Sequence, residues 1–594
     1  MAMKLQREVF RSWAGGVITS LRAEDLPKEA SPYGKNATLV GVGLGRAVVG
    51  KRPGAEIVTL AAEAIGTISP APSTLATIHS LHAYRRVVSS TYTYTKLAVE
   101  KEVGNIYTVT PAGVTTQLTG GGGGGPTGFG ANNVAPGWTT FKNIAFGFAG
   151  ATRKKVVDIS GTLTVQNVGL ARPPARTTTS FNWDASFSGA GGMTGDYEVA
   201  LTFWNDDAQL ESSLSDDYQP ATAASDTLTV TWATSPDSQI THVRVHLRKV
   251  GTQANPVWVT GGTGYVSGKG VPIATATTTL DISDATIVTY GASPDSVENN
   301  PPAVDTTLGT TSTDDLYGAL VHGGRLLTWS PTGVYYSKFD QPEQFDPESF
   351  EPIAPDDGQE LVACHAPNSD VVLVFKRGSI YGIFGNDPNS WTVERIDPSV
   401  GCVAPNSIIT IEGKTYWWSA LGPMVWTPGA GAPVQLGYQL VRDTTDPSQT
   451  DPDAWLGIVA HVDPPRQQVV FWIPSAGATK NDKGLPFNYR LGVFESDTWD
   501  PFDVASATTG EDADGRPCVY LGGYYGRIYQ WGTGTTDGAR TNHDELAAYT
   551  LSGTPFSFTT TSLVAAGTVT LHASMVPHLL SLSDADGNIV TRRL

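Results

Sequence analysis

The closest-spaced histidines of the chain, His79 and His82, are the first residues whose type and spacing suggest chemistry. Imidazoles three apart can share a zinc ion when further His, Cys or acidic ligands converge on them. No acidic residue lies between or beside this pair, so a loop or core role is expected. Adjacent acids occur at Asp206-Asp207, Asp216-Asp217 and Asp356-Asp357. Facing carboxylates can divide the acid and nucleophile roles of glycoside hydrolysis. Neighbours on a strand point to opposite faces, however, so these pairs read as solvated loop charges. The sialidase-type Ser-x-Asp-x-Gly-x-Thr-Trp box is absent.

The remaining motifs also resolve into turns. Gly264-Tyr265-Val266-Ser267-Gly268-Lys269-Gly270 has the glycines of a phosphate loop at the wrong spacing, with Gly where a hydroxyl would bind Mg²⁺. A hairpin loop is expected there. Asp584-Ala585-Asp586-Gly587-Asn588 and Glu511-Asp512-Ala513-Asp514-Gly515 resemble the start of a calcium loop. Both lack the Glu of the twelfth ligand position, and Asp-Gly favours a hairpin turn. HExxH, GxSxG and CxxC do not occur. The reading is of no enzyme, with no catalytic, cofactor-binding or metal-binding residues.

What must position any site is a chain of many short elements. Its 594 residues include 65 Gly and 39 Pro, about one residue in six, and only 16% are charged. That composition excludes coiled coils and helical bundles, while 15 Trp, 21 Tyr and 19 Phe argue against disorder. Cys364, Cys402 and Cys518 are too scattered for a disulfide framework and are expected to be reduced and mostly buried. No window of about 18 apolar residues predicts a membrane span. The N-terminus has charges where a secretory peptide would be apolar, so folding in a cytoplasm is expected. The net charge of −18 divides unevenly. Residues 1–60 carry nine basic and five acidic side chains, a +4 arm, which leaves −22 for the body. That body lacks the basic face that nucleic-acid affinity requires.

The organisation follows from turns. Residues 1–60 form an irregular arm. Alternating patterns at Ser90–Thr95 and Asn105–Val109 predict strands. Gly120 to Gly125 predicts a flexible loop. Further on, Arg325–Ser330 turns into Val334–Ser337, Val371–Phe375 into Ser379–Phe384, Thr415–Ser419 into Met424–Trp426, and Val519–Gly522 into Arg527–Trp531. Gln467–Ile473 with Arg490–Phe494 supplies one more unit. A period of 40–50 residues with several strands per unit is that of propeller blades. Residues 173–300 interrupt it with strands at Asp196–Trp204, Thr227–Trp232, His242–Val250 and Thr275–Ile282. Trp204 and Trp232 are candidate core residues there. The fold class is therefore all-β: a propeller of about seven blades, with six to eight open, over 61–172 and 301–540. The insertion at 173–300 resembles an immunoglobulin or fibronectin type III sandwich. Residues 541–594 form a β-rich extension, either partner-binding or part of a further small domain.

The order of short motifs carries a family resemblance. Trp13-Ala14-Gly15-Gly16-Val17, Arg22–Pro27, Asn36-Ala37-Thr38 and Gly50-Lys51-Arg52-Pro53-Gly54 come first. Gly169–Pro173, Gly195-Asp196-Tyr197 and Glu211–Ser215 come next. Gly324-Arg325-Leu326, Tyr336-Ser337, Phe345-Asp346-Pro347, Val374-Phe375-Lys376, Ser379-Ile380-Tyr381 and Val400–Pro405 complete the series. Over residues 10–535 this order resembles phage tail propeller proteins, the nozzle or hub of short-tailed phages. The glycine run and the tail past 541 do not fit the shared pattern.

The resemblance implies a virion protein forming a hexameric ring beneath the portal and adaptor, conducting DNA without specific binding and carrying fibres or spikes. It would be assembled in the host cytoplasm. Within it, Lys4, Arg7, Arg11, Lys51 and Arg52 become candidates for an inter-subunit or adaptor contact. An acidic lumen would repel DNA phosphates over about 8–10 Å and let DNA slide. Two rival readings are a receptor- or glycan-binding tail-tip propeller, with Trp417, Trp418 and Trp472 stacking on sugars, and a propeller glycosidase.

Overall fold

A computed structural model describes strands within 37–57, and then 77–289, 315–436, 450–495 and 504–532 apart from short loop stretches. It also describes two strands at 579–583 and 589–593. Seven antiparallel sheets succeed one another as blades: 1 over 78–117, 2 over 137–167, 3 over 319–352, 4 over 361–397, 5 over 404–435, 6 over 459–494 and 7 over 504–531. First strands of successive blades lie side by side, except that blade 4's first strand meets blade 3 at its second strand, and blade 7 returns to blade 1. The protein is a closed seven-bladed β-propeller. The expected count holds.

Blade period and strand text are linked by burial. A blade's second strand has another blade on each side, so both of its faces are dry. Val371–Lys376 and Gln468–Ile473 are buried at every position and read as unbroken apolar runs instead of alternating ones. The aromatic residues that made the core look large sit between blades. Trp417, Trp418 and Trp472 have no exposed surface.

Three expectations need correction. The arm is not wholly irregular: Ala37–Gly43 pairs with Arg46–Lys51 in a hairpin, and Ala55–Ile57 forms the outermost strand of blade 7 against Ile528–Trp531. The first and last parts of the chain therefore close the ring together. In blade 6 the partner of Gln468–Ile473 is Lys483–Asn488, not 490–494, which supplies only a two-residue outer strand at Val493–Phe494. Turn residues at 490–492 masked that boundary. Finally, the insertion is an all-β unit, but hydrogen bonds join its seven strands into one sheet, not two. Its 23-residue strand Trp183–Asn205 pairs with Gln219–Trp232 along one half and with His242–Lys249 along the other. The two halves enclose one core containing Trp183, Trp232, Phe203 and Leu247. After the insertion, Leu316–Tyr317 returns to pair with blade 2.

The a–b hairpin turns of all seven blades and the c–d turns of blades 1 to 6, counting strands outward as a to d, lie at one end of the ring, here the turn face. The b–c turns, the crossings between blades and the insertion lie at the other. On the turn face Gly323 has φ +55°, and a Cβ there would stand 2.0 Å from the Asn386 carbonyl oxygen. Gly323→Ala forces blades 3 and 4 apart or strains the turn. It is expected to destabilise the protein by about 1–3 kcal/mol. An unchanged urea midpoint would refute this close approach.

Candidate functional site

The centre of a propeller is the natural place to look for a site, because all seven innermost strands converge there. These are Ile78–Val88, Gly137–Phe141, Ala319–His322, Leu361–His365, Ala404–Ile411, Val459–Asp463 and Val504–Glu511. Together they carry only four formal charges: Arg85, Arg86, Asp463 and Glu511. Each has an opposite partner: Arg85 with Glu511 at 3.2 Å, Arg86 with Asp158 at 2.9 Å, and Asp463 with Arg466 at 2.7 Å. The other residues of these strands are uncharged: Ser, Thr, Asn, Cys, Gly, Pro, Ala, aliphatic, aromatic and imidazole side chains. The chain's −18 is not displayed on this channel.

Histidine recurs on the same strands. His79, His82, His322, His365 and His461 all lie on innermost strands, of blades 1, 3, 4 and 6. Two of them make one contact twice: His82 Nε2 meets Thr140 Oγ1 and His365 Nε2 meets Thr410 Oγ1, each at 2.8 Å on the next blade. His322 Nε2 donates to the Gly385 carbonyl oxygen of blade 4 at 2.8 Å. His461 Nδ1 accepts the Trp472 indole N–H at 2.9 Å, inside a cluster with Trp531. Burial, with help from Lys101, drives the pKa of His79 down to about 4. Burial with Arg85 does the same for His82, and burial alone for His365. Burial also brings His461 to about 4, with Asp463 opposing and Arg466 assisting. Imidazoles in this state are neutral at pH 7, and those of His82, His365 and His461 serve as hydrogen-bond partners.

Every joint of the ring has such a polar link. Blade 2 meets blade 3 through Lys155 and Glu343, 2.6 Å apart and buried, with the Gly169 N–H also donating to Glu343. Lys142 pairs with Asp340 at the same joint. Arg325 reaches Asp387 between blades 3 and 4, and Arg490 pairs with Glu412 between blades 5 and 6. The Trp531 indole donates to Asp463 between blades 6 and 7. Ser506 Oγ donates to the Ile78 carbonyl oxygen between blades 7 and 1 at 2.6 Å. Of the residues that sequence offered as reactive, His82 is one of these joint links.

The inserted domain contains the one constellation of nucleophile, base and acid types among the described residues. Thr202 Oγ1 donates to Glu211 Oε1 at 2.6 Å, and His246 Nε2 lies 3.0 Å from that hydroxyl and 3.3 Å from Glu211. Arg244 forms an ion pair with Glu211 and lies between the rings of Trp204 and Trp258, 3.7 and 4.0 Å from their centroids. Thr202, Glu211 and His246 are wholly buried. Burial pushes the Glu211 carboxyl up. The His246 hydrogen bond and charge, the Arg244 charge and the Thr202 hydroxyl outweigh it and hold the pKa at about 2. No substrate can reach these atoms, and one imidazole nitrogen faces both partners. The arrangement is a buried polar core. It does not relay protons.

The residues singled out from sequence are not brought together. Asp206 pairs with Lys269 and Asp357 with Lys376, whereas Asp216 and Asp217 lie outside the described residues. Gly264–Gly270 is a tight loop closed by Val266 and Gly270. Asp512 accepts the N–H groups of Asp514 and Arg516 within its own hairpin turn. Asp584–Asn588, Gly121–Gly125 and the side chains of Lys4, Arg7, Arg11, Lys51 and Arg52 also lie outside the described residues. Cys364 and Cys402 are buried and Cys518 is half-buried, all unpaired. Among the described residues no helix is long and apolar enough to cross a membrane. Sequence reasoning singled out His79 and His82, which lie on the innermost strand of blade 1, and missed His322, His365 and His461. Their spacing, 322 to 365 and then 461, matches one and two blade periods and is the signal that would have found them.

No protein-family model matches the chain, and no curated protein matches it. Among solved structures it is similar to apo AztD from Citrobacter koseri, with 9% identity over 69% of this chain and 84% of that one, and a TM-score of 0.29. A streptogramin B lyase matches at 8% identity over 76% and 97%, with a TM-score of 0.26. The extracellular domain assigned to a hybrid two component system of B. thetaiotaomicron matches at 8% identity over 82% of this chain, with a TM-score of 0.27. This chain spans about two fifths of that domain's length. At these values the likeness concerns propeller architecture alone.

Proposed function

We propose that the chain is a structural protein of a short-tailed phage tail: a nozzle or hub subunit that assembles as a hexameric ring, conducts DNA and anchors fibres or spikes. The reading rests on the order of motifs along residues 10–535. One observation supports it most: a rigid propeller whose seven joints are each linked by polar side chains, interrupted after blade 2 by a β domain on one face. Such a body suits a load-bearing subunit. Because the propeller's own channel wall is nearly neutral, repulsion of DNA belongs in this proposal to the lumen that the ring of subunits encloses. The basic arm residues Lys4, Arg7, Arg11, Lys51 and Arg52 are assigned to contacts with neighbouring subunits or the adaptor.

The glycan-binding alternative loses its aromatic platform, since Trp417, Trp418 and Trp472 are buried between blades. Negative-stain images of the purified full chain, with light scattering for mass, test the proposal. Six-fold rings with a central channel are the expected result. A monomer at all concentrations up to those of assembly, with or without adaptor protein, would overturn it.

A further inference from the structure

Ile528–Trp531, the third strand of blade 7, runs toward the turn face, so the chain leaves the propeller at that end, at the joint with blade 6, where Arg466 donates to the Gly532 carbonyl oxygen. The chain beyond that point is unusual in composition. Residues 546–583 contain no Asp, Glu, Lys or Arg, and half of them are apolar, including Leu546, Phe556, Phe558 and Leu571. A 38-residue stretch of this kind has little to keep it solvated and calls for an apolar surface to cover it.

The turn face offers one. Val87 and Tyr92 are cross-strand partners on the a–b hairpin of blade 1, 54% and 51% exposed. Ile159, on the c–d turn of blade 2, is 47% exposed, and Phe339, on the c–d loop of blade 3, is 64% exposed. These four sit on adjoining turns. Asn143 binds both the N–H and the carbonyl of Val87, Arg86 binds Asp158, and Lys142 binds Asp340. Tyr92 also donates to Glu511 of blade 7. The four apolar side chains thus stand on turns of blades 1, 2 and 3 that are tied to one another, on the end of the ring from which the chain departs.

We propose that residues 546–583 pack across the turn face of their own propeller, along the row of Val87, Tyr92, Ile159 and Phe339. Blades stand about 10 Å apart, and the dozen residues from 533 to 545 extend to roughly 40 Å, so the row is within reach. Leu421 and Leu456, also exposed, lie at the opposite end of the ring, away from the departing chain. The inference does not depend on the phage assignment.

Photocrosslinking of the full chain tests it. With Phe339→p-benzoylphenylalanine, illumination should give peptides from 546–583 joined to position 339, in a product that runs as a monomer on a denaturing gel. The same probe at Leu456 should give none. Products joining two chains would assign the row to a second copy and overturn the proposal, as would crosslinks that avoid 546–583. A second measurement needs no probe. Ile159→Asp with Phe339→Asp, both at exposed positions, should speed thermolysin cleavage within 546–583 by about tenfold or more with the β-sheet circular dichroism unchanged. Equal cleavage rates would also overturn it.

Discussion

Between pH 7 and pH 5 the folded ring is expected to lose on the order of 5 kcal/mol of stability. The cause is four imidazoles of the innermost strands, His79, His82, His365 and His461, each with its pKa lowered to about 4 by burial first. In the unfolded chain they titrate near 6.5. Below that value the unfolded state takes up protons that the folded state refuses, so acid favours unfolding. The stability is fully present above about pH 6.5, falls as pH drops, and levels off near pH 4. One imidazole contributes about 2 kcal/mol at pH 5. His82 and His365 contribute less than that, because both are partly exposed and water screens the charge. Urea midpoints at pH 7, 6 and 5 check the slope. His461→Gln keeps an acceptor for Trp472 and removes the titration, so it should flatten the slope by about a quarter to a third. Midpoints independent of pH over this range would sink the account.

Glu211→Ala is expected to destabilise the inserted domain by about 3–5 kcal/mol, enough to unfold it locally. The carboxylate is wholly buried and answers Arg244, His246 and Thr202 at once. Its removal leaves the Arg244 guanidinium buried between two tryptophans without a counter-charge, apart from its bonds to the carbonyl oxygens of Gly268 and Lys269. Removing both charges, as in Glu211→Leu with Arg244→Met, should recover much of the loss, since an apolar pair of similar volume avoids the desolvation cost. Thermal unfolding tracked by the fluorescence of Trp204 and Trp258 reads it. A single variant as stable as the parent would mean that Arg244 finds another anion.

Much of the fold was legible because its signals are local. Glycine and proline turns spaced 40–50 residues apart, with apolar runs such as Val371–Lys376 between them, depend on a few neighbouring residues and on dry surfaces either side. The insertion announced itself in the same way. The candidate site was not legible, and particular residues show why. His82 and Thr140 are 58 apart, Lys155 and Glu343 are 188 apart, and Arg85 and Glu511 are 426 apart. A side chain's text is the same whether it faces a catalytic partner, a neighbouring blade or water.

By itself, then, the sequence determined an all-β chain of repeated blades with an inserted β unit, because alternation, turn chemistry and period are short-range properties. The tertiary structure alone decided that Ala55–Ile57 closes blade 7 and that one continuous sheet wraps the insertion's core. It also decided that the tryptophans offered as a sugar platform are sealed between blades, and that the chain's acidity stays off the channel wall. Those outcomes depend on which surfaces meet when the ring closes, and ring closure is a property of contacts between residues far apart in the chain.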